Sequence, residues 1–375
     1  MLFYLLLFII LLLSALSTLF YASFLIFGKQ RDFHVKPSDF LSTKLDKSTL
    51  DFIESEKPKK TGLVYGVVGG SGFLGRHLIR ALLERGETKI YNFDLVKDST
   101  KFSYSDLDDR IKFCKVDVRS RSSILEAFKA ADHIDVVYSV FAAIRPHNFL
   151  SADLHLSWEV NVIGTENLIA VLKDLGIKML IQTSTSNVTL GYDRLNTFNG
   201  TEDIGYTKHP FNHYCLTKSK AEKLVLKSNC EELKTGSIRP CTYIYGMGDA
   251  FSTSILSGNK IINPSFNKNV VADYVYVENV VHGHLLLEEK LRTEWNLVGG
   301  KAFNISNEEP MSDEEFTSIL TSFDKTLNWR GYVPPLLLWL VTLIFTFKGL
   351  FNSKSSTIIL NYPVFLLCNN SNTYR

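Results

Sequence analysis

One stretch constrains this chain more than any other: Val67-Val-Gly-Gly-Ser-Gly-Phe-Leu-Gly-Arg76. It follows the apolar run Gly62-Leu-Val-Tyr-Gly-Val-Val and precedes a helical pattern, so it sits at a strand–loop–helix junction. Gly69, Gly72 and Gly75 fit G-x-x-G-x-x-G, and Gly70, Gly72 and Gly75 fit G-x-G-x-x-G. Such a loop brings backbone close to an anion, and the following helix N-terminus offers oriented N–H donors to it. The reading is a pyrophosphate cradle, with Gly69, Gly70, Gly72, Phe73, Leu74 and Gly75 against a dinucleotide. Asp94 closes the next strand, about 20 residues beyond the glycines, where a carboxylate accepts both ribose hydroxyls. Because the same charge repels a 2′-phosphate, NAD is expected rather than NADP, with nearby Lys97 the one opposing sign. Asp117, ending the third strand, is read either as a second ligand near the adenine or as a strand-end cap.

From about Thr61 onward, apolar runs alternate with helical patterns. The runs include Lys89-Ile-Tyr-Asn-Phe-Asp94, Ile111-Lys-Phe-Cys-Lys-Val-Asp117, Ile134-Asp-Val-Val-Tyr-Ser-Val140, Lys178-Met-Leu-Ile-Gln-Thr-Ser184 and Gly236-Ser-Ile-Arg-Pro240. This is the βαβ rhythm of an α/β fold, a Rossmann-type doubly wound parallel sheet. With 375 residues and 45% apolar content, one large core is affordable and a second unrelated domain is not required. Lys+Arg number 41 against Asp+Glu 39, with no basic block interleaved with aromatics, so no nucleic-acid partner is expected. The five cysteines are scattered, without C-x-x-C spacing or histidine neighbours, which gives neither a disulfide framework nor a metal site.

Tyr214-Cys-Leu-Thr-Lys218 places a phenol and an ammonium four residues apart, on one face of a helix. A phenol titrates near 10 when unperturbed, so a base working near neutral pH needs positive charge nearby to favour its phenolate. Tyr214 and Lys218 are therefore the expected catalytic pair. The strand Leu180-Ile-Gln-Thr-Ser-Thr-Ser-Asn ends in hydroxyls; Thr185 is preferred for polarising the reacting oxygen, with Thr183, Ser184 and Ser186 as competitors.

The ends of the chain differ in character. Met1 to Gly28 carry no charge, are long enough to cross a bilayer as a helix, and lack the basic start of a cleaved signal. Residues 1–28 are thus read as a transmembrane anchor, 29–60 as a juxtamembrane linker and 61–330 as the NAD-binding body with its substrate-binding elements. Residues 331–375 are read as an apolar, membrane-associated segment, since Gly331 to Phe347 are again uncharged. Lys29, Arg31 and Lys36 behind the anchor predict a cytosolic body. A glycan on the sequon at Asn187 would obstruct the site next to Thr185, which agrees with that placement.

Together with the glycine loop, several passages resemble the 3β-hydroxysteroid dehydrogenase/Δ5-isomerase family within the extended short-chain dehydrogenase/reductases. They are Asn161-Val-Ile-Gly-Thr-Glu-Asn, Tyr214-Cys-Leu-Thr-Lys-Ser-Lys-Ala-Glu-Lys-Leu-Val, Ile238-Arg-Pro-Cys-Thr-Tyr-Ile-Tyr-Gly, Asp273-Tyr-Val-Tyr-Val-Glu-Asn-Val and Gly300-Lys-Ala-Phe-Asn-Ile-Ser. The resemblance implies a Rossmann domain with a small C-terminal substrate region and a catalytic set at Tyr214, Lys218 and Thr185. It also implies that Asn161 helps hold the active-site helix and a proton-relay water. The expected reaction is NAD-dependent oxidation of a steroid or sterol 3β-hydroxyl, with Δ5 isomerisation left open. A membrane partner is expected, the endoplasmic reticulum ahead of the mitochondrion, and a homodimer is compatible. Three alternatives stand beside it: a decarboxylating sterol-4α-carboxylate 3-dehydrogenase, a nucleotide-sugar epimerase or dehydratase, and a non-catalytic NAD-binding membrane scaffold.

Overall fold

The structure is a computed structural model that describes residues 59–97, 108–144, 151–241, 243–249, 270–322 and 372–374. The expected anchor (1–28), nearly all of the linker (29–58) and the apolar stretch up to residue 371 lie outside these residues. Among the described residues, no helix is long and apolar enough to cross a membrane.

The chain divides into two compact units, 45–249 with 273–310 and 372–375 forming the larger one. Its elements begin with β1 (Tyr65–Val68), α1 (Phe73–Glu84), β2 (Ile90–Asp94), β3 (Ile111–Lys115), α2 (Arg121–Lys129) and β4 (Val136–Ser139). Next comes α3 (Ser151–Trp158), which runs through a π-helical turn at Glu159–Ile163 into α4 (Gly164–Asp174). Then follow β5 (Met179–Thr183), a 3-10 turn at Ser186–Thr189, β6 (Thr197–Gly200), α5 (His213–Lys227), β7 (Lys234–Pro240) and β8 (Tyr243–Tyr245). The unit ends with β9 (Tyr274–Tyr276), α6 (Val277–Thr293), α7 (Trp295–Val298), β10 (Ala302–Ile305) and β11 (Asn372–Tyr374). Of the smaller unit, the described part is a bridge between Ala272 and Met311 and helix α8 (Asp313–Ser322). That helix starts on a reciprocal cap, Ser312 N donating to Glu315 Oε2 at 2.8 Å and Glu315 N to Ser312 Oγ at 3.2 Å.

Seven strands form one sheet in the order β10-β7-β5-β4-β1-β2-β3, every neighbouring pair parallel. The expected doubly wound sheet is therefore present, and its strand order reverses beside β1, between β1 and β4. Strand side chains alternate between two cores. Tyr65, Val67, Val136, Tyr138, Met179 and Ile181 meet Leu78 and Leu82 of α1 and Val281, Leu285 and Leu291 of α6. Val68, Val137 and Leu180 face the other way, onto Phe128 of α2, Leu168 and Leu172 of α4 and Val225 of α5. Helices on both faces explain why these strands read as continuous apolar runs rather than as alternating ones.

The last described strand was not read from the sequence. Asn372–Tyr374, assigned by sequence to the membrane-associated segment, pair in parallel with β6 inside the larger unit, and Tyr374 is buried there. Three polar residues at the end of an apolar run carry no periodicity from which such a strand could be read.

Candidate active site

Crevices that hold ligands in open α/β sheets lie beyond the carboxyl ends of the strands at the order reversal. The glycine loop leaves β1 at that place. Gly69 has φ +91°, and a Cβ there would lie 2.7 Å from the Phe141 backbone nitrogen, beyond the end of β4. A Cβ on Gly75 would press into the Gly69 carbonyl and come within 2.6 Å of Gly70 Cα, so only glycine lets α1 approach the loop this closely. Gly72 caps α1 without a side-chain hydrogen bond, and no acidic residue stands in the first turn. The backbone N–H groups of Phe73, Leu74 and Gly75 therefore take no acceptor among the described residues. Phe73 lies edge-on to His77 at 5.2 Å, and Leu74 turns into the core. Donors, positive helix end and close backbone fit a pyrophosphate.

Asp94 reaches back to this loop: its Oδ2 accepts Ser71 N–H at 3.0 Å, and its Oδ1 accepts Leu95 N–H at 2.7 Å. Asn92, missed in the sequence, donates to Ser71 Oγ at 3.2 Å from a fully buried position and so helps to shape the loop. Asp117 lies just past β3, and Arg119 engages it with both backbone N–H (3.0 Å) and guanidinium (2.6 Å), which holds the Asp117 carboxyl below its ordinary value. That carboxylate caps the turn that follows β3.

The catalytic candidates converge at the end of β5. Tyr214 opens the first turn of α5, which is capped by Asn212 Oδ1 accepting Cys215 N–H at 2.9 Å. The Thr185 hydroxyl lies near enough to the Tyr214 phenol to pull its proton affinity down. Thr185 Oγ1 also accepts Asn187 N–H at 3.3 Å, which leaves its proton to donate. Burial pushes the phenol well above its ordinary value, the Cys215 thiol adds to this, and the Thr185 hydroxyl offsets only part. Lys218 is 3% exposed; burial pushes its ammonium down to about 8 against the opposing pull of Glu222. Its Nζ donates to the Thr183 carbonyl at 2.6 Å. The helical spacing does put both side chains at one site, but among the described bonds the ammonium is held by the strand end and not by the phenol.

The structure separates the competing hydroxyls. His284, fully buried on α6, donates from Nδ1 to the Val280 carbonyl at 2.7 Å, so its Nε2 is an acceptor for the Thr183 hydroxyl at 2.8 Å. Thr183 is thereby spent. Ser184 Oγ is buried and has no partner among the described residues. Of the four, Thr185 is the one whose hydroxyl lowers the proton affinity of the Tyr214 phenol.

Asn161 sits in the π-helical turn, 2% exposed. Its Oδ1 accepts Ala143 N–H at 2.7 Å, while its Nδ2 donates to the Ala143 carbonyl at 3.2 Å and to Thr217 Oγ1 on α5 at 3.0 Å. It ties the segment beyond β4 to the helix bearing Tyr214 and Lys218. One turn below Lys218, buried Glu222 accepts from buried Arg239 of β7 (2.6 Å) and from the hydroxyl of half-buried Tyr206 (2.6 Å). Neither His284 nor this pair was identified from sequence, because single polar residues in apolar surroundings leave no periodic signal.

Residues 66–330 match the model of the 3-beta hydroxysteroid dehydrogenase/isomerase family. The human sterol-4-alpha-carboxylate 3-dehydrogenase, decarboxylating, is 36% identical over 266 residues, which are 69% of this chain and 66% of that protein. A 3-beta-hydroxysteroid dehydrogenase of Mycolicibacterium neoaurum is 32% identical over 67% of each chain. Among solved structures, an epimerase from Methanothermobacter thermautotrophicus aligns with a TM-score of 0.62 at 18% identity, covering 73% of this chain and 81% of its own. This last likeness establishes the fold alone. A family match over most of the chain, on top of a glycine loop, a Tyr214/Lys218 helix and a Thr185 hydroxyl gathered at the sheet's carboxyl edge, places the chain in the 3-beta hydroxysteroid dehydrogenase/isomerase family of oxidoreductases.

Proposed function

We propose that this protein oxidises the 3β-hydroxyl of a steroid or sterol to the 3-ketone with NAD+. The observation that carries the reading is buried Lys218, one helical turn on from Tyr214, bonded to the Thr183 carbonyl at the carboxyl end of β5, where the Thr185 hydroxyl is also buried. Gly69, Gly75 and the first turn of α1 hold the pyrophosphate, and Asp94 holds the ribose hydroxyls. Bound NAD supplies the hydride acceptor. Thr185 donates to the substrate oxygen and fixes it in line with Tyr214. Tyr214 takes the hydroxyl proton, which its raised affinity for protons suits once positive charge nearby favours the phenolate. Lys218, held by the Thr183 carbonyl, has two further N–H donors for the ribose and supplies that charge.

A second reading rests on the 36% identity to the decarboxylating sterol-4-alpha-carboxylate enzyme. The same residues would oxidise the 3-hydroxyl, and the resulting β-keto acid would lose CO2. The purified protein with NAD+ and a panel of 3β-hydroxysterols, with and without a 4α-carboxylate, separates the two by which member yields NADH. The same products, assayed for a conjugated Δ4 ketone, report any isomerisation. Tyr214→Phe abolishes turnover while NAD affinity stays near that of the parent; retention of turnover would remove Tyr214 from the chemistry.

The apolar, uncharged Met1–Gly28 tethers this body to the cytosolic face of the endoplasmic reticulum membrane, where a sterol reaches high local concentration. Carbonate-resistant sedimentation with membranes and no endoglycosidase-sensitive shift is expected; glycosylation at Asn187 or Asn199 in cells would overturn this topology.

A further inference from the structure

Thr185 stands at the start of a four-residue 3-10 turn, Ser186–Thr189, and everything about its aim depends on that turn. Internally the turn is held by weak bonds: Val188 N–H to the Thr185 carbonyl at 3.3 Å, Leu190 N–H to the Asn187 carbonyl at 3.2 Å, Asn187 N–H to Thr185 Oγ1 at 3.3 Å, and Thr189 Oγ1 to the Ser186 carbonyl at 2.9 Å. Short 3-10 turns have poor hydrogen-bond geometry and gain their definition from what packs on them. Two outside bonds reach its backbone, Thr207 N–H to the Val188 carbonyl at 3.2 Å and Arg194 Nη1 to the Thr189 carbonyl at 3.0 Å, and the neighbour that reaches its side-chain and Ser186 end comes from the far end of the chain. The Tyr374 hydroxyl lies 3.1 Å from Thr189 Oγ1 and 3.4 Å from the Ser186 carbonyl. Since Thr189 spends its proton on Ser186, Tyr374 is the donor.

Tyr374 is itself held in place at each of its polar groups. It is 3% exposed, its backbone N–H donates to the buried Asp273 carboxylate at 2.6 Å, and its carbonyl accepts Ser306 Oγ at 3.5 Å. Its neighbour Thr373 accepts Asn199 N–H at 2.8 Å, and a Cβ on Gly200 would come within 2.9 Å of the Tyr374 ring. Burial pushes the phenol up to about 12, so it remains a donor throughout the neutral range.

We infer that Tyr374 is a positioning residue for Thr185: by bonding to the Ser186–Thr189 turn, the strand Asn372–Tyr374 fixes the hydroxyl that orients the substrate oxygen. This rests on the oxidation proposed above. Tyr374→Phe keeps the ring and deletes only the donor. In the full-length, NAD-bound protein it is expected to lower kcat for a 3β-hydroxysterol by about tenfold, with NAD affinity unchanged. Amide exchange at Val188 and Leu190 is expected to quicken, while that of α5 stays as in the parent. Thr189→Val, which removes the other end of the same bond, repeats the test should the first variant not fold. Unchanged kcat together with unchanged exchange at Val188 and Leu190 would overturn the inference. Faster exchange in a protein whose parent oxidises no sterol would instead keep the brace and sink the proposed reaction.

Discussion

Lys218 carries charge where charge is costly. Its folded value of about 8 lies below the ordinary 10.5, so below pH 8 the lysine is protonated in both states and the folded state bears the penalty. That penalty is relieved only as pH rises from about 8 towards 10.5, and at pH 7 it amounts to roughly 3 kcal/mol. Lys218→Met removes it, at the loss of one hydrogen bond to Thr183 worth about 1 kcal/mol. The variant is therefore expected to unfold at higher denaturant concentration at pH 7, by about 2 kcal/mol, while losing turnover and NAD affinity. A destabilised Lys218→Met protein would show that the ammonium is a structural tie and not a functional expense. Tyr214 and Lys218 were legible in the sequence because helical spacing alone brings them to one face. The bond from Lys218 to the Thr183 carbonyl was not, since it depends on how closely α5 lies against β5.

At the scale of elements, α5 is the part that has to be aimed, and two buried contacts aim it. Asn161 reaches it from the π-helical turn through Thr217, and Arg239 reaches it from β7 through Glu222. The Glu222–Arg239 pair is inaccessible, with Arg239 Nε within 3.1 Å of both carboxylate oxygens and its guanidinium over the Tyr206 ring at 5.4 Å. Removing one partner strands a buried charge, which costs about 3–5 kcal/mol. Arg239→Met is expected to be destabilised by that much in urea unfolding, and Glu222→Gln in the same chain to recover most of it. If the single variant loses less than about 1 kcal/mol, water reaches Glu222 and the pair is not what seats the helix.

For the whole molecule, alternation of apolar runs and helical patterns was enough to read a parallel sheet wound on both faces, and the glycine loop located its nucleotide edge. Polar groups inside the cores were invisible by the same logic. Beneath β1 and β4, Arg85 joins Glu87 (2.8 Å), Glu288 (2.7 Å) and the Tyr65 hydroxyl (2.5 Å), residues 223 positions apart at the extreme. His284 is a similar case, and it makes the fold sensitive to acid. Burial pushes it down from 6.5 to about 4, so its contribution is fully present above pH 6.5. Between those values the unfolded chain takes up a proton that the folded protein refuses. Stability falls by about 1.4 kcal/mol per pH unit over that window, about 3 kcal/mol in all. Relative to His284→Gln, which has no such proton to take up, the parent should lose this amount between pH 6.5 and 4 in denaturant titrations. A constant difference between the two would mean that His284 is protonated in the folded state.

The π-helical turn at Glu159–Ile163 holds one residue more per turn than the regular helix on either side of it. A deletion there would restore ideal α-helical hydrogen bonding and read as an improvement by any local measure. It would also swing Asn161 by about 100° around the helix axis, away from Ala143 and Thr217.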